Sequence, residues 1–557
     1  MGQPAMQGAE ARPGVAVPGV NCWRVARARR AAFLIDGQRY FDALASALED
    51  ARRSVFILGW DVHSRVRLRP EAEDPLELGE LVDRLVQRRP QLRVHILDWD
   101  YSLLLSPARE LMPWVRLDWR TRDRIAFRLD GRHPVGACHH QKLVIVDDAL
   151  AFVGGIDLTA GRWDTSAHLA DDPRRVNPWG SPYPPFHDVQ LVVDGEAAQA
   201  LAALARERWR RATGAASDAP VAVRGGTPRA PWPESVTPQL EDVEVAIART
   251  EPAYAGRSEI REVERLYADA IGSARRSIYI ESQYLSSRSI GDALCASLAA
   301  PDGPEIAVVT TRECTGWVEH GTMGLLRHRL VRRLRAADRH GRFRLYYPRL
   351  PGDAARLNVH SKLMIVDDEL ARIGSANLSN RSMGLDTECD VQIEARGDAV
   401  AASAIRGLRE RLLAEHLGTS RARVAHTLAE SGGSLLTCIE RLAGGDRSLV
   451  PLAPELPAWV DRLVPPKLLT DPEHPFASMR LVEAWTPEWL RDPYRRPLGP
   501  AVAALGALLV ATRTGAIVRL VPGALALLGG TAVGFVGTRW LGREREGAAC
   551  RTTPSGS

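Results

Sequence analysis

Lysine is almost missing from this chain of 557 residues: of 73 Lys and Arg, only three are lysine. Cysteine is sparse as well, and seven of them, an odd number without metal-ligand spacing, point to reduced thiols in a cytosolic setting rather than to a disulfide framework. Cys138 and Cys389 read as packing residues. There is no EF-hand loop and no separate module of a calcium-binding kind, so no dependence on calcium is expected. The first 20 residues are rich in Pro, Gly and Ala and lack the basic-then-apolar profile of a secretory leader. A formal net charge of +5 is mild, and no series of strand-stacking aromatics accompanies it, which argues against a nucleic-acid partner. Long apolar runs are absent over most of the chain. The two that occur, 498–512 and 521–537, have 15 and 17 residues, against roughly 20 for a spanning helix.

Against that background two of the three lysines stand in the same short phrase. It reads His140-Gln141-Lys142-Leu143-Val144-Ile145-Val146-Asp147 and again His360-Ser361-Lys362-Leu363-Met364-Ile365-Val366-Asp367. His140 and His360, Asp147 and Asp367, and Gly154 and Gly374 are each separated by 220 positions, the mark of an internal duplication. A compact ammonium has been kept at these two places in a chain that takes the planar guanidinium almost everywhere else. Histidine and lysine two residues apart on a strand face the same way, so each pair can converge on one small anion. Asp147-Asp148 and Asp367-Asp368 read as turns into a following strand, with bracing rather than attack as their work.

The duplication extends to coarse secondary structure. Helix-then-strand patterns end in Ser54–Leu58 and Ser277–Ile280; further strands follow at 92–97 and 305–309, and at 125–128 and 342–346, ahead of the two His-Lys strands. Helical patterns at 197–211 and 399–417 close the halves. The expected fold class is α/β: two pseudo-symmetric lobes, each a mixed β-sheet flanked by helices, with the active site at the lobe interface and a helical or irregular C-terminal extension. The expected division is a disordered tail (1–20), lobe 1 (21–213), a Pro/Gly-rich linker (214–240), lobe 2 (241–419), a wrap (420–496), a hydrophobic segment associated with membrane (497–541) and a tail (542–557).

A phosphodiester repels nucleophiles, so a catalyst must neutralise its nonbridging oxygens, supply an attacking group and protonate the departing alkoxide. Two lysines and two histidines provide these parts without a metal or other cofactor. The candidate catalytic set is His140, Lys142, Asp147, His360, Lys362 and Asp367, with the aspartates as braces. One histidine attacks phosphorus and the other donates a proton, so the two are expected to differ in protonation.

The second phrase continues as Gly374-Ser375-Ala376-Asn377, Asn380-Arg381-Ser382 and Glu388. The first continues as Gly154-Gly155-Ile156-Asp157, Gly161-Arg162-Trp163-Asp164 and Pro185-Phe186-His187-Asp188. With Ile57-Leu58-Gly59-Trp60 and Tyr279-Ile280-Glu281-Ser282-Gln283-Tyr284, these segments resemble the phospholipase D superfamily, specifically its phosphatidylcholine-type members with two HKD motifs, over roughly residues 20 to 420. The resemblance implies His140 as nucleophile and His360 as acid/base, the pseudo-symmetry leaving the reverse open. It offers Glu388 and Asp188 as carboxylates that orient the histidines, and leaves phosphate contacts to Lys142, Lys362, Ser375 and Asn377, with Asp157 bracing its loop. It implies a glycerophospholipid substrate, water or an alcohol as acceptor, and phosphatidic acid plus free headgroup as products. Cardiolipin-synthase-like transfer is the second reading; a nuclease and a non-catalytic headgroup-binding membrane scaffold rank lower. A monomer is expected, cytoplasmic and peripheral to, or anchored in, the inner membrane through the C-terminal segment.

Overall fold

Strand β1 (Arg24–Ile35) and strand β9 (Leu240–Glu251), each of 12 residues, lie antiparallel at the centre of the molecule and carry one half of the chain on either side. The computed structural model describes residues 14–100, 124–215, 232–313, 317–353, 355–453 and 471–474. The first half adds β2 (Ser54–Leu58), β3 (Arg93–Trp99), β4 (Ile125–Asp130), β5 (Leu143–Val146), β6 (Leu150–Gly154), β7 (Phe186–His187) and β8 (Val189–Asp194). The second adds β10 (Ile260–Arg261), β11 (Ser277–Ser282), β12 (Glu305–Val309), β13 (Phe343–Arg349), β14 (Asn358–Val359), β15 (Lys362–Val366), β16 (Leu370–Gly374), β17 (Glu388–Glu394) and β18 (Ser448–Pro451).

Outward from the centre the order is β1-β8-β6-β5-β2-β3-β4 in one half and β9-β17-β16-β15-β11-β12-β13 in the other, with β18 closing the second edge. The repeat legible in the residues is thus a repeat of topology, and the two-lobed α/β reading is borne out. The two mixed sheets do not stay separate, however: the β1–β9 ladder fuses them into one. Within each half the three outer strands run parallel and the rest antiparallel.

The helices are α1 (Asp36–Asp50), α2 (Leu78–Arg88), α3 (Gly195–Thr213), α4 (Glu262–Ser273), α5 (Arg288–Ala299), α6 (Trp317–Ala337), α7 (Asn380–Gly384), α8 (Ala399–His416), α9 (Arg421–Glu430) and α10 (Leu435–Leu442). Alternation along the strands sorts their side chains to two faces. Phe56, Leu58, Leu143 and Ile145 face a core continuous across both halves, which takes in Leu201 and Trp209 of α3 and Ile405 and Leu408 of α8. Their neighbours Val55, Ile57, Val144 and Val146 face a separate core under α1 and α2. The matching core of the second half lies under α4, α5 and α6. Each fully buried apolar side chain of this kind contributes about 1.5–3 kcal/mol.

Residues 14–20, expected within a tail, are seated: Val15 and Ala16 donate their N–H groups to Glu394, and Ala16 is buried. In the expected linker, the Trp232 indole donates to the Val236 carbonyl. Of the expected wrap, 420–453 forms α9, α10 and β18, which pairs with β13. The apolar runs 498–512 and 521–537 lie outside the described residues. Among those described, no helix is long and apolar enough to cross a membrane.

Candidate active site

Each His-Lys phrase opens a hairpin whose turn is a pair of aspartates in the left-handed region: φ is 53° and 54° at Asp147 and Asp148, and 52° and 59° at Asp367 and Asp368. Aspartate tolerates this conformation, and with Ala149 or Glu369 each pair makes a three-residue connection, from Val146 to Leu150 and from Val366 to Leu370. Asp147 accepts hydrogen bonds from the backbone N–H groups of Arg52, Arg53 and Ser54 at 2.7–2.8 Å. Asp367 does the same for Arg275, Arg276 and Ser277 at 2.6–2.8 Å. Both motif aspartates therefore pin the start of the neighbouring antiparallel strand, β2 or β11, at the end of the hairpin remote from the histidines. Asp148 and Asp368 pair with Arg206 on α3 and Arg409 on α8, fastening the turns to the long helices.

At the other end of the hairpins the halves cross. His139 and His140 run alongside Thr387, whose carbonyl accepts the His140 N–H at 3.0 Å. β14 pairs in parallel with β7, and the His360 N–H reaches the His187 carbonyl at 2.8 Å. Each histidine is thereby delivered to a carboxylate of the opposite half. His140 Nδ1 lies 2.9 and 3.0 Å from the two Glu388 oxygens, and His360 Nδ1 lies 2.7 Å from Asp188 Oδ2. An Nδ1–H donated to a buried carboxylate fixes the tautomer and leaves Nε2 with its lone pair. Neither Nε2 has a hydrogen-bond partner among the described residues, and the side chains are 16% and 9% exposed, the only opening a substrate needs.

Both lysines are buried. Lys142 Nζ donates to the His140 carbonyl at 3.0 Å and pairs with Asp157 at 3.1 Å. Asp157 also accepts the Trp60 N–H at 2.8 Å, so it braces the loop as expected and, beyond that expectation, faces a lysine. Lys362 donates to the His360 carbonyl. The halves differ again beside the carboxylates. Ser375 Oγ donates to Glu388 at 2.5 Å, so its hydroxyl hydrogen is held by a carboxylate. At the equivalent Gly155, an added Cβ would lie 2.4 Å from Asp188 Oδ1, and only glycine lets that carboxylate come so close. Asn377 is buried, and its Oδ1 has no partner among the described residues.

The electrostatics tie the groups into one neighbourhood. Burial, together with Lys142 and Lys362, holds His140 well below the ordinary imidazole value. Burial, Lys362, Arg162, Lys142 and His140 itself do the same to His360. The expected difference in protonation between the two imidazoles is thus not built into the resting site, since both are driven toward the neutral form. Burial raises Glu388 to about 7 and Asp188 to about 6, and lowers Lys362 to about 8. Such displaced values are typical of groups that handle charge.

Two residues were quoted from the sequence only as parts of longer segments. Arg162 stacks its guanidinium 5.0 Å over the Phe186 ring, and its charge acts on His360, Asp157 and Asp188. Glu281 is fully buried and takes hydrogen bonds from Tyr279, Ser361, His187 and His416. The signal available for Glu281 was a charged residue inside an apolar strand, which burial permits only when it is paired.

Residues 120–297 match a family model described as Phospholipase D, and residues 267–408 match one described as Cardiolipin synthase, PLD-like domain. The chain is 25% identical to phospholipase D A of Dictyostelium discoideum over 457 residues, which takes in 69% of this chain and 35% of that protein. It is 26% identical to phospholipase D gamma 1 of Arabidopsis thaliana over 532 residues, 68% of this chain and 61% of that one. This chain therefore spans about a third of the length of the first relative and about three fifths of the second. Among solved structures, phosphatidylserine synthase of Haemophilus influenzae Rd KW20 aligns with a TM-score of 0.50 at 13% identity, over 70% of this chain and 88% of that one, a likeness of fold.

Proposed function

The chain belongs to the phospholipase D superfamily, and from that premise we propose that it cleaves the headgroup phosphodiester of glycerophospholipids through a phosphohistidine. The observation that carries this reading is the crossed pairing: two histidines, each held at Nδ1 by the other half's carboxylate, keep beside two buried lysines two Nε2 atoms without a hydrogen-bond partner among the described residues.

In the proposed reaction His140 Nε2 attacks phosphorus while the P–O bond to the headgroup breaks, and His360 Nε2–H gives its proton to the departing alkoxide. His360 Nε2 then takes a proton from water or an alcohol, whose oxygen displaces His140. The arriving phosphodiester anion supplies the negative charge that lets His360 take up a proton from solvent at Nε2 before the first step, against burial and its cationic neighbours, and that proton returns to solvent when the product leaves. Lys142, Lys362, Arg162 and the Asn377 amide receive the nonbridging oxygens; the Ser375 hydroxyl reaches phosphate through its grip on Glu388.

The test is incubation of the purified full chain with labelled phosphatidylcholine, with and without ethanol, beside His140→Ala and His360→Ala. Phosphatidic acid in water and phosphatidylethanol in ethanol, both lost in each variant, are expected; turnover that survives either substitution overturns the reading. A second reading, transfer to the hydroxyl of another phospholipid, is favoured by the cardiolipin-synthase-type model over 267–408, and phosphatidylglycerol converted to cardiolipin would select it. Membrane attachment through 497–541 is part of the same proposal. A chain ending at Arg496 is expected to leave the membrane fraction, and unchanged recovery there would reject attachment by that segment.

A further inference from the structure

Behind the histidine pair lies a second cluster that the proposed reaction does not use: Asp36 at the start of α1, His168 in the loop after β6, His187 on β7 and Glu415 near the end of α8. The two imidazoles and Asp36 are fully buried, and the Glu415 side chain is 7% exposed. Four atoms, two nitrogens and two oxygens, form a closed ring. Asp36 Oδ1 lies 2.8 Å from His187 Nδ1, which lies 3.0 Å from Glu415 Oε1; that oxygen lies 3.0 Å from His168 Nε2, which lies 3.7 Å from Asp36 Oδ1.

One N–H points in one direction, yet His187 Nδ1 faces two carboxylate oxygens from two different elements, and Glu415 Oε1 faces two imidazoles. A single cation at the centre of the ring satisfies all four atoms at once. For bonds of about 2.0–2.1 Å to nitrogen and oxygen, a tetrahedral zinc ion sets its ligands about 3.3 Å apart, within the span of the four edges. The imidazole planes stand at 83° to one another with ring centroids 5.7 Å apart, so the nitrogens approach the centre from different directions.

The outer contacts point the same way. A metal-bound histidine commonly donates its other ring N–H to a carboxylate, which fixes the tautomer and raises its basicity. His187 Nε2 lies 2.9 Å from Glu281 and His168 Nδ1 lies 2.8 Å from Asp164. Those carboxylates are held in turn, Glu281 by Tyr279 and Ser361, Asp164 by Arg175 and the Phe186 N–H. Ser166 donates to the free oxygen of Asp36 at 2.6 Å. The nearby Arg447 reaches Glu415 only at 3.8 Å.

We propose that Asp36, His168, His187 and Glu415 form a structural site for a tetrahedral divalent cation of the zinc class. Two imidazoles and two carboxylates in a buried setting match that ion better than calcium or magnesium, which take six or more oxygens. The ion takes no part in the chemistry. It joins both halves of the chain, because three ligands come from the first and Glu415 from the second. Its placement also bears on His360: His187 is followed by Asp188, and the Asp36 N–H donates to the Asp188 carbonyl at 2.8 Å. The inference does not depend on which phosphodiester is the substrate.

The experiment measures metal content and thermal unfolding of the full chain, produced with zinc in the medium and purified without chelator. About one zinc per chain is expected, bound through nitrogen and oxygen without sulfur by X-ray absorption. Stripping with dipicolinate should lower Tm by more than about 5 °C, restored by zinc chloride. His168→Gln and Glu415→Gln should each reduce zinc content at least about tenfold in whatever protein remains soluble. Zinc below about a tenth of an equivalent in the unsubstituted chain, with Tm unmoved by zinc or dipicolinate, overturns the proposal and leaves the ring bridged by protons. Zinc held through sulfur also overturns it.

Discussion

The two halves carry the same hairpin, the same aspartate brace and the same crossed carboxylate, but they hold their lysines differently. In the first, Asp157 faces Lys142 at 3.1 Å and partly neutralises it. In the second, the equivalent position is the uncharged Asn377, whose Oδ1 has no partner among the described residues, and Lys362, lowered to about 8 by burial, has Asp188 as its main opposing charge. The carboxylates differ in the opposite sense: Glu388 has the Ser375 hydroxyl, whereas Asp188 is accommodated by the bare Gly155 backbone. A duplicated scaffold has become one asymmetric cluster, with a lysine facing an aspartate of its own half at Lys142 and an asparagine in the matching place in the half that carries Lys362.

The sharpest way to break this comparison is at the histidines. His140→Ala and His360→Ala should each lower turnover by about 10⁴-fold, but labelled phosphohistidine should accumulate only on the His360→Ala protein; the reverse labelling exchanges the roles of the halves. Next come the lysines. Lys362→Met should cost about 10³-fold in kcat/KM and Lys142→Met about 10²-fold, because Asp157 already offsets part of the Lys142 charge; equal losses would remove the asymmetry.

Glu388→Gln tests the first-half carboxylate by pH. Burial raises Glu388 from 4.5 to about 7, with the Ser375 hydrogen bond and Lys142 pulling it back. Between those values the folded chain holds a proton that the unfolded chain has released, so stability falls as pH rises through that window. Urea melts should therefore show the variant gaining on the parent from pH 4.5 to about 7 and levelling off above. A constant difference across this range would contradict the shift.

Smaller effects separate the two carboxylate supports. Gly155→Ala, which pushes on Asp188, should lower kcat about tenfold, and Ser375→Ala about threefold, both read in the phosphatidylcholine assay. The smallest concerns the shared brace: Asp147→Ala and Asp367→Ala should each cost about 2 kcal/mol of stability in urea, by similar amounts because the two carboxylates make the same three hydrogen bonds.

The residues that proved readable were those whose pattern is local. The His-Lys phrases, the aspartate turns and the alternating strands depend on neighbours in sequence, and the fixed spacing revealed the duplication. Ser375 was read as a phosphate contact because its position matched a motif, while its hydroxyl bonds Glu388, 13 residues away. Glu415 carried no signal, since one glutamate near the end of a helix looks like any solvated residue until Asp36, His168 and His187 surround it.

By itself, then, the amino-acid order determined which side chains repeat, which strands they begin and which chemistry two imidazoles and two ammonium groups can perform, because period and propensity act over a few residues. Only the folded chain decided that His140 belongs to Glu388 and His360 to Asp188, 248 and 172 residues apart, and that a lysine faces an aspartate in one half while the matching asparagine Oδ1 in the other has no partner among the described residues. Those pairings follow from antiparallel fusion of two sheets through β1 and β9 and from each hairpin's approach to the opposite half. Contacts of that kind are made by packing, and packing leaves no mark in local spacing.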